Sequence, residues 1–155
     1  MPSSSASCDE DAEVHVVDAN VLLYAVNADS AHHEDARGWL DEALAGGTTV
    51  LFDWTVLLAF LRLSTMARLF DSPLSATEAA EQVRAWLEQP GAEIIRPAVD
   101  HLERVAELLT EAQTAGNLVN DAHLAALSLQ ARGVVASYDS DFDRFPRVRR
   151  VQPRA

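Results

Sequence analysis

The chain has 155 residues, a length that suits one folded domain, since two cores of that total length would each be marginal. Hydrophobic residues make up 48% and aromatic residues 6%, so we expect a packed core built mainly from Ala, Leu and Val. The single cysteine, Cys8, excludes an internal disulfide and a cysteine-based metal site. Twelve basic residues against 24 acidic ones give a net charge of -12, which argues against general affinity for phosphate backbones.

Two further features of the composition bear on location and partners. Residues 1–13 are small, polar and acidic, and we expect a flexible leader there, followed by one folded domain over residues 14–153. No secretory signal is visible, and the longest apolar run, 56–61, is far shorter than the roughly 20 residues that span a bilayer, so we expect a cytoplasmic protein without membrane association. All 12 basic residues are arginines, and five of them predict a basic patch near the C-terminus: Arg144, Arg147, Arg149, Arg150 and Arg154.

The first half of the domain alternates between strands and helices. A β-branched run at 14–17 predicts a strand, and Leu and Ala at helical spacing predict a helix over 20–27. A second helix is predicted over 33–45, ended by two glycines, and a second strand over 48–52. Asp53 can cap a helix running from Trp54 to about Phe70.

The second half continues the alternation. The capping-box spacing at 75–78 predicts a helix that continues to Gln89, followed by a short strand at 93–95. Amphipathic helices are predicted from Ala98 to about Gly116 and from Leu118 to Arg132, then strands at 134–137 and 148–151. This order predicts an α/β fold, a three-layer α/β/α sandwich around a parallel sheet of four to five strands.

Acidic residues occur where such a sheet places its sites, beyond the carboxyl ends of the strands. Asp18 follows the first strand, Asp139 follows the fourth, and Asp121 lies in the first turn of the helix leading to the fourth strand. Asp141 is a fourth candidate. Carboxylates that converge repel one another without a cation, and hard oxygen ligands suit Mg²⁺ or Mn²⁺, so the pattern predicts a divalent metal site.

Three segments in order resemble the signatures of PIN domains, and most closely those of VapC toxins: DANVLLYA at 18–25, GNLVNDAHLAA at 116–126 and SYDSDF at 137–142. The resemblance implies metal-dependent cleavage of RNA, inhibition by a cognate VapB-type antitoxin, and a homodimer. It implies that Asp18, Asp121 and Asp139 bind the metal and that Asp141 supports them. Asn20 would orient the first acid, and Ser137 would contact the metal shell or the substrate.

One position departs from this family pattern. Members carry a glutamate on the helix after the second strand, and the register against Phe60-Leu61-Arg62 puts it at Ala59. Either a deliberate substitution allows a toxic nuclease to be produced safely, or the chain is a naturally weakened member. We favour the first, because every other motif position is intact. Both interpretations predict a protein that folds but has weakened metal binding and reduced activity.

Other residues carry weaker signals. Arg62 is near the predicted site and could meet a phosphate, although a solvated helix residue is the simpler interpretation. The five histidines lack metal-ligand spacing, and we expect them on the surface or on helix faces. The three tryptophans, Trp39, Trp54 and Trp86, fall on apolar stripes that predict core packing rather than base stacking.

Two alternatives to a nuclease remain at this point. A non-catalytic PIN-like module could act through protein contacts alone, with Ala59 as its native residue. A receiver-like phosphoacceptor also gathers aspartates at strand ends, but it requires a lysine in the pocket, and this chain contains none.

Overall fold

The computed structural model describes residues 13–155, and the greater part of the predicted leader lies outside that range. The described residues form five strands: β1 (Val14–Val17), β2 (Thr49–Phe52), β3 (Ala92–Ile94), β4 (Val134–Ala136) and β5 (Arg150–Val151). Six α-helices connect them: α1 (Ala19–Val26), α2 (His33–Glu42), α3 (Trp54–Ser64), α4 (Ala76–Leu87), α5 (His101–Ala112) and α6 (Val119–Gln130).

The strands form one parallel sheet in the order β3-β2-β1-β4-β5. The first connections move outward from β1 to β2 and β3, and the chain then crosses back to β4 on the other side of β1. Because such crossovers are right-handed, α1 to α4 cover one face and α5 and α6 cover the other. The α/β sandwich predicted from the sequence is therefore confirmed, with five strands.

The core lies on both faces of the sheet. Its largest fully buried side chains include Phe52, Phe60, Phe142 and Phe145. Val16 and Val17 are also fully buried, as expected for the central strand of a covered parallel sheet. No helix of residues 13–155 is both long enough and apolar enough to cross a membrane.

Two sequence predictions about α3 are wrong. The helix ends at Ser64 rather than near Phe70, because the backbone carbonyl of Ser64 accepts a hydrogen bond from the N–H of Leu74 and the Thr65 hydroxyl bonds back to the carbonyl of Leu61. Trp54 does not join the core: it is the first residue of the helix and 51% exposed. Trp86, by contrast, is buried against Phe60.

Candidate metal centre

The reversal of strand order lies between β1 and β4, and Asp18 is positioned there by a dense set of hydrogen bonds. It caps α1, with Oδ1 accepting from the N–H of Ala19 at 2.8 Å. Ser137, fully buried at the end of β4, donates from Oγ to Asp18 Oδ2 at 2.7 Å. Asn20 Nδ2 donates to Ser137 Oγ at 3.2 Å, and its Oδ1 accepts from the N–H of Tyr138 at 3.2 Å. These bonds lock the two strand ends together.

Three further carboxylates converge beside this network. Asp121 comes from the first turn of α6, and Asp139 and Asp141 from the turn after β4. One oxygen from each of the three lies within 4.8 Å of the others. The turn itself is ordered by Asp139, whose Oδ1 accepts from the N–H of Asp141 at 2.9 Å, and by Ser137 Oγ, which accepts from the N–H of Asp139 at 3.0 Å.

The electrostatics of this cluster are unfavourable in the absence of a cation. Burial, together with the charges of Asp139, Asp18 and Asp141, raises the pKa of Asp121 to about 6. Burial also raises the pKa of Asp18, although hydrogen bonds from Ser137 and Ala19 oppose that shift. The raised pKa values reflect burial and repulsion between the carboxylates, and a divalent cation would offset that repulsion. An all-oxygen donor set suits Mg²⁺ or Mn²⁺. The residues present therefore fit such an ion.

The structure separates the predicted site residues into two groups. Asp121, Asp139 and Asp141 converge, and Asp18 lies beside them, joined through Ser137, but it is not one of the three carboxylates that share the 4.8 Å group. Ala59 is half-buried in α3, and Arg62 is exposed on the same helix. Within residues 13–155, no hydrogen bond or ion pair links Arg62 to the acids.

Three of the five arginines in the predicted basic patch near the C-terminus form ion pairs. Arg147 pairs with Glu111 at 3.0 Å, Arg150 pairs with Asp143 at 3.0 Å, and Arg149 lies 3.6 Å from Glu13. Three of the five arginines are thus paired with acidic side chains, and the basic patch inferred from their clustering stays a prediction.

The sequence reasoning missed a polar chain at the neighbouring strand end. Asp53 follows β2, caps α3 and is buried. Its Oδ2 accepts from the N–H and hydroxyl of Thr55 and from His123 Nε2 at 2.9 Å. The other nitrogen of that ring, His123 Nδ1, lies 2.8 Å from His101 Nε2. Burial opposes ionisation of Asp53, but the hydrogen bonds from His123 and Thr55 leave its pKa below the usual value.

One histidine, His15, contradicts the expected placement on the surface or on helix faces, whereas His101 and His123 lie on helices as expected. His123 and His101 belong to this polar chain, and His15 is buried in β1, packed edge-on against Trp39 with ring centroids 5.2 Å apart. The spacing of these residues along the chain carried no signal of either arrangement, because the partners come from different elements.

Comparison with known proteins gives a consistent result. Residues 15–148 match the PIN domain family. Ribonuclease VapC37 of Mycobacterium tuberculosis is 52% identical over 140 residues, which cover 90% of this chain and 97% of that protein. Ribonuclease VapC33 of the same species is 33% identical over 138 residues, covering 89% and 96%.

Solved structures share the fold at lower identity. VapBC2 from Rickettsia felis, solved bound to a promoter DNA fragment, has a TM-score of 0.65 at 18% identity and covers 89% of this chain and 97% of its own. Mycobacterium tuberculosis VapC20, described as a toxin that cleaves the sarcin-ricin loop, has a TM-score of 0.63 at 19% identity, covering 83% and 92%. The sequence matches and the shared fold lead to one assignment: this chain belongs to the PIN domain family, within its VapC ribonuclease branch.

Proposed function

We propose that this chain is a metal-dependent endoribonuclease and the toxin of a type II toxin-antitoxin pair. The observation that carries the proposal is the convergence of Asp121, Asp139 and Asp141 within 4.8 Å, beside a hydrogen-bonded Asp18. The sequence identity to Ribonuclease VapC37 supports RNA as the substrate. When bound, Mg²⁺ or Mn²⁺ would activate water for in-line attack and offset charge on the phosphodiester.

Each residue of the site has a separate task in this proposal. Asp121, Asp139 and Asp141 supply oxygen ligands, and Asp18 adds negative charge and a fourth oxygen source next to them. Asn20 and Ser137 hold Asp18 in one orientation, since both donate to Asp18 Oδ2 and Asn20 Nδ2 also donates to Ser137 Oγ. Arg62, exposed on α3, is available to an approaching phosphate.

Ala59 is the position at which the proposed site departs from the family pattern. In the family pattern this position supplies a further carboxylate, and its absence lowers both metal affinity and the rate of cleavage in our proposal. Asp53 does not replace it, because its Oδ2 is engaged by Thr55 and His123.

The decisive experiment restores the missing acid. We expect Ala59→Glu to raise Mn²⁺-dependent cleavage of single-stranded RNA by about 10-fold or more, the usual scale for groups that support a metal site. The control is Ala59→Glu combined with Asp139→Asn, which should return activity to background. No Mn²⁺ binding by the parent chain and no cleavage by Ala59→Glu would refute the nuclease and favour the non-catalytic binding module.

For partners, we propose a VapB-type antitoxin and a homodimer. The net charge of -12 favours a basic antitoxin segment. A cavity of about 740 Å³ lies between α1, α2 and α4. Leu40 and Trp86 line it with apolar surface, and Glu78 and Glu81 add acidic side chains, so we propose that the antitoxin segment binds there. Glu81→Arg should weaken capture of the antitoxin encoded next to this gene, whereas Glu103→Arg, on α5, should not. The homodimer rests on the family resemblance alone, and sedimentation velocity tests it.

A further inference from the structure

The first turn of α6 carries a metal ligand and has no side-chain cap: Leu118 occupies the N-cap position and makes no side-chain capping bond. A 3₁₀ turn at Gly116–Leu118 leads into the helix, and the carbonyl of Gly116 accepts from the N–H of Val119. The end of a helix nevertheless frays more easily than its interior. Asp121 lies in that turn, so the carboxylate needs another anchor to keep a fixed position.

His123 provides such an anchor, two residues after Asp121. Successive helical residues are rotated by about 100°, so the two side chains point roughly 200° apart around the axis of α6. His123 reaches across to Asp53 at the end of β2, while Asp121 faces the acids that follow β1 and β4. His123 thus holds this turn from the side opposite Asp121, which limits rotation of the turn about the helix axis.

With both imidazole rings neutral, the hydrogen-bond chain has one direction. A carboxylate only accepts, so His123 Nε2 carries the hydrogen that is donated to Asp53 Oδ2. With one ring hydrogen, His123 Nδ1 then accepts from His101 Nε2, 2.8 Å away. His101 Nδ1 is left as a bare acceptor, which agrees with its being buried without a hydrogen-bond partner in residues 13–155. The starts of α3, α5 and α6 are thereby tied together.

From this geometry we propose that His123, held between Asp53 and His101, is a positioning residue that fixes Asp121 for metal binding. The inference rests on the metal site proposed above. It assigns no direct contact with metal or RNA to His123. Its effect passes through the first turn of α6, and a misplacement of about 1 Å in such a ligand is enough to weaken a preorganised site.

The chain offers a matched control at the other end of the same helix. Gln130 closes α6, and its side chain donates to the carbonyl of Arg96 at 2.9 Å and accepts from the N–H of Ala98 at 3.0 Å. It therefore ties α6 to the segment before α5 with two hydrogen bonds, as His123 ties it to Asp53 and His101. Nine positions separate Gln130 from Asp121, so loss of Gln130 affects stability without reaching the acids.

The experiment measures Mn²⁺ affinity by calorimetry at one fixed pH, with urea unfolding of the same samples. We expect His123→Leu to weaken Mn²⁺ binding about 10-fold, the lower end of the range for groups that support metal ligands, and Gln130→Leu to leave it unchanged while also lowering stability. His123→Gln keeps a donor for Asp53 and should recover part of the affinity. Asp53→Ser keeps a good N-cap for α3, but the shorter side chain cannot reach His123. We expect its Mn²⁺ affinity to equal that of His123→Leu, and it replaces His123→Leu in the test if that variant does not fold.

Two results would overturn the proposal, and they differ. If the parent binds Mn²⁺ and both His123→Leu and Asp53→Ser bind it as tightly as Gln130→Leu does, the positioning role is wrong while the metal site stands. If neither the parent nor Ala59→Glu binds Mn²⁺, the metal site and the positioning role fail together.

Discussion

Ser137 Oγ donates a 2.7 Å hydrogen bond to Asp18 Oδ2, joining the ends of two neighbouring strands whose residues are 119 positions apart. The same oxygen accepts from the N–H of Asp139. One hydroxyl thus connects the first acid of the site to the turn that carries two others.

Replacement of Ser137 by alanine should therefore affect both stability and metal binding. It leaves the N–H of Asp139 without a partner and leaves Asp18 Oδ2 with only the longer 3.4 Å bond from Asn20 Nδ2, at a cost of about 1–3 kcal/mol. We expect a lower urea midpoint together with weaker Mn²⁺ affinity. Ser128→Ala is the control: that hydroxyl is equally buried but bonds only the carbonyl of Ala125 in its own helix. Equal Mn²⁺ affinities in the two variants would contradict the link.

Removal of one charge from the acidic cluster should stabilise the protein without metal. Asp121→Asn keeps the size of the side chain and removes its repulsion with Asp139, Asp18 and Asp141. We expect a melting temperature higher than that of the parent in EDTA, and a much smaller rise when Mn²⁺ is added, because a ligand stabilises only what it binds. A lower melting temperature in EDTA would show that the carboxylates do not repel one another as the structure indicates.

Stability should fall on mild acidification because of His15. Burial lowers its pKa below 6.5, outweighing the opposite effect of Glu13, so the folded protein resists protonation of this ring more than the unfolded chain does. The unfolded state then binds more protons, and the neutral ring's contribution to stability, present above pH 6.5, is lost as pH falls through that value. Urea midpoints at pH 7.5 and 5.5 should differ more for the parent than for His15→Gln. Identical differences would exclude His15 as the cause.

Gly133 is the position where a single added methyl group should be most damaging. A Cβ there would meet the carbonyl group and the Cβ of Val14 in the central strand. We expect Gly133→Ala to cost about 1–3 kcal/mol, the range for overpacked sites, in urea unfolding. Gly47→Ala serves as the control, because a Cβ at Gly47 has no neighbour within 4 Å. Similar midpoints for the two variants would contradict the close approach.

Much of the fold was predictable because its signals are local. The apolar runs of β1 and β2, the capping box that begins α4 and the position of Asp18 and Asp139 after strands all lie within a few residues of the structure they determine. The carboxyl ends of parallel strands meet at one edge of the sheet, and the pairing of β1 with β4 in the structure brings those two acids to the same crevice.

The features that were missed depend on contacts between distant elements. The link from His123 to Asp53 spans 70 positions, and the pairing of Arg147 with Glu111 spans 36. Neither has a periodic pattern in the chain. The early end of α3 also depends on a residue outside the helix, since the N–H of Leu74 donates to the carbonyl of Ser64. Helix propensity alone favours a longer α3, but the hydrogen bond from Leu74 ends the helix at Ser64.

The placement of β4 beside β1 has a consequence for the timing of toxicity during synthesis. A growing polypeptide leaves the ribosome from its N-terminus, and Asp18 emerges long before β4 exists to pair with its strand. Asp139 and Asp141 become available only after translation has passed residue 141. A chain that stops before residue 141 therefore lacks the assembled acidic centre, and ribonuclease activity can begin only after the turn that follows β4 has been made.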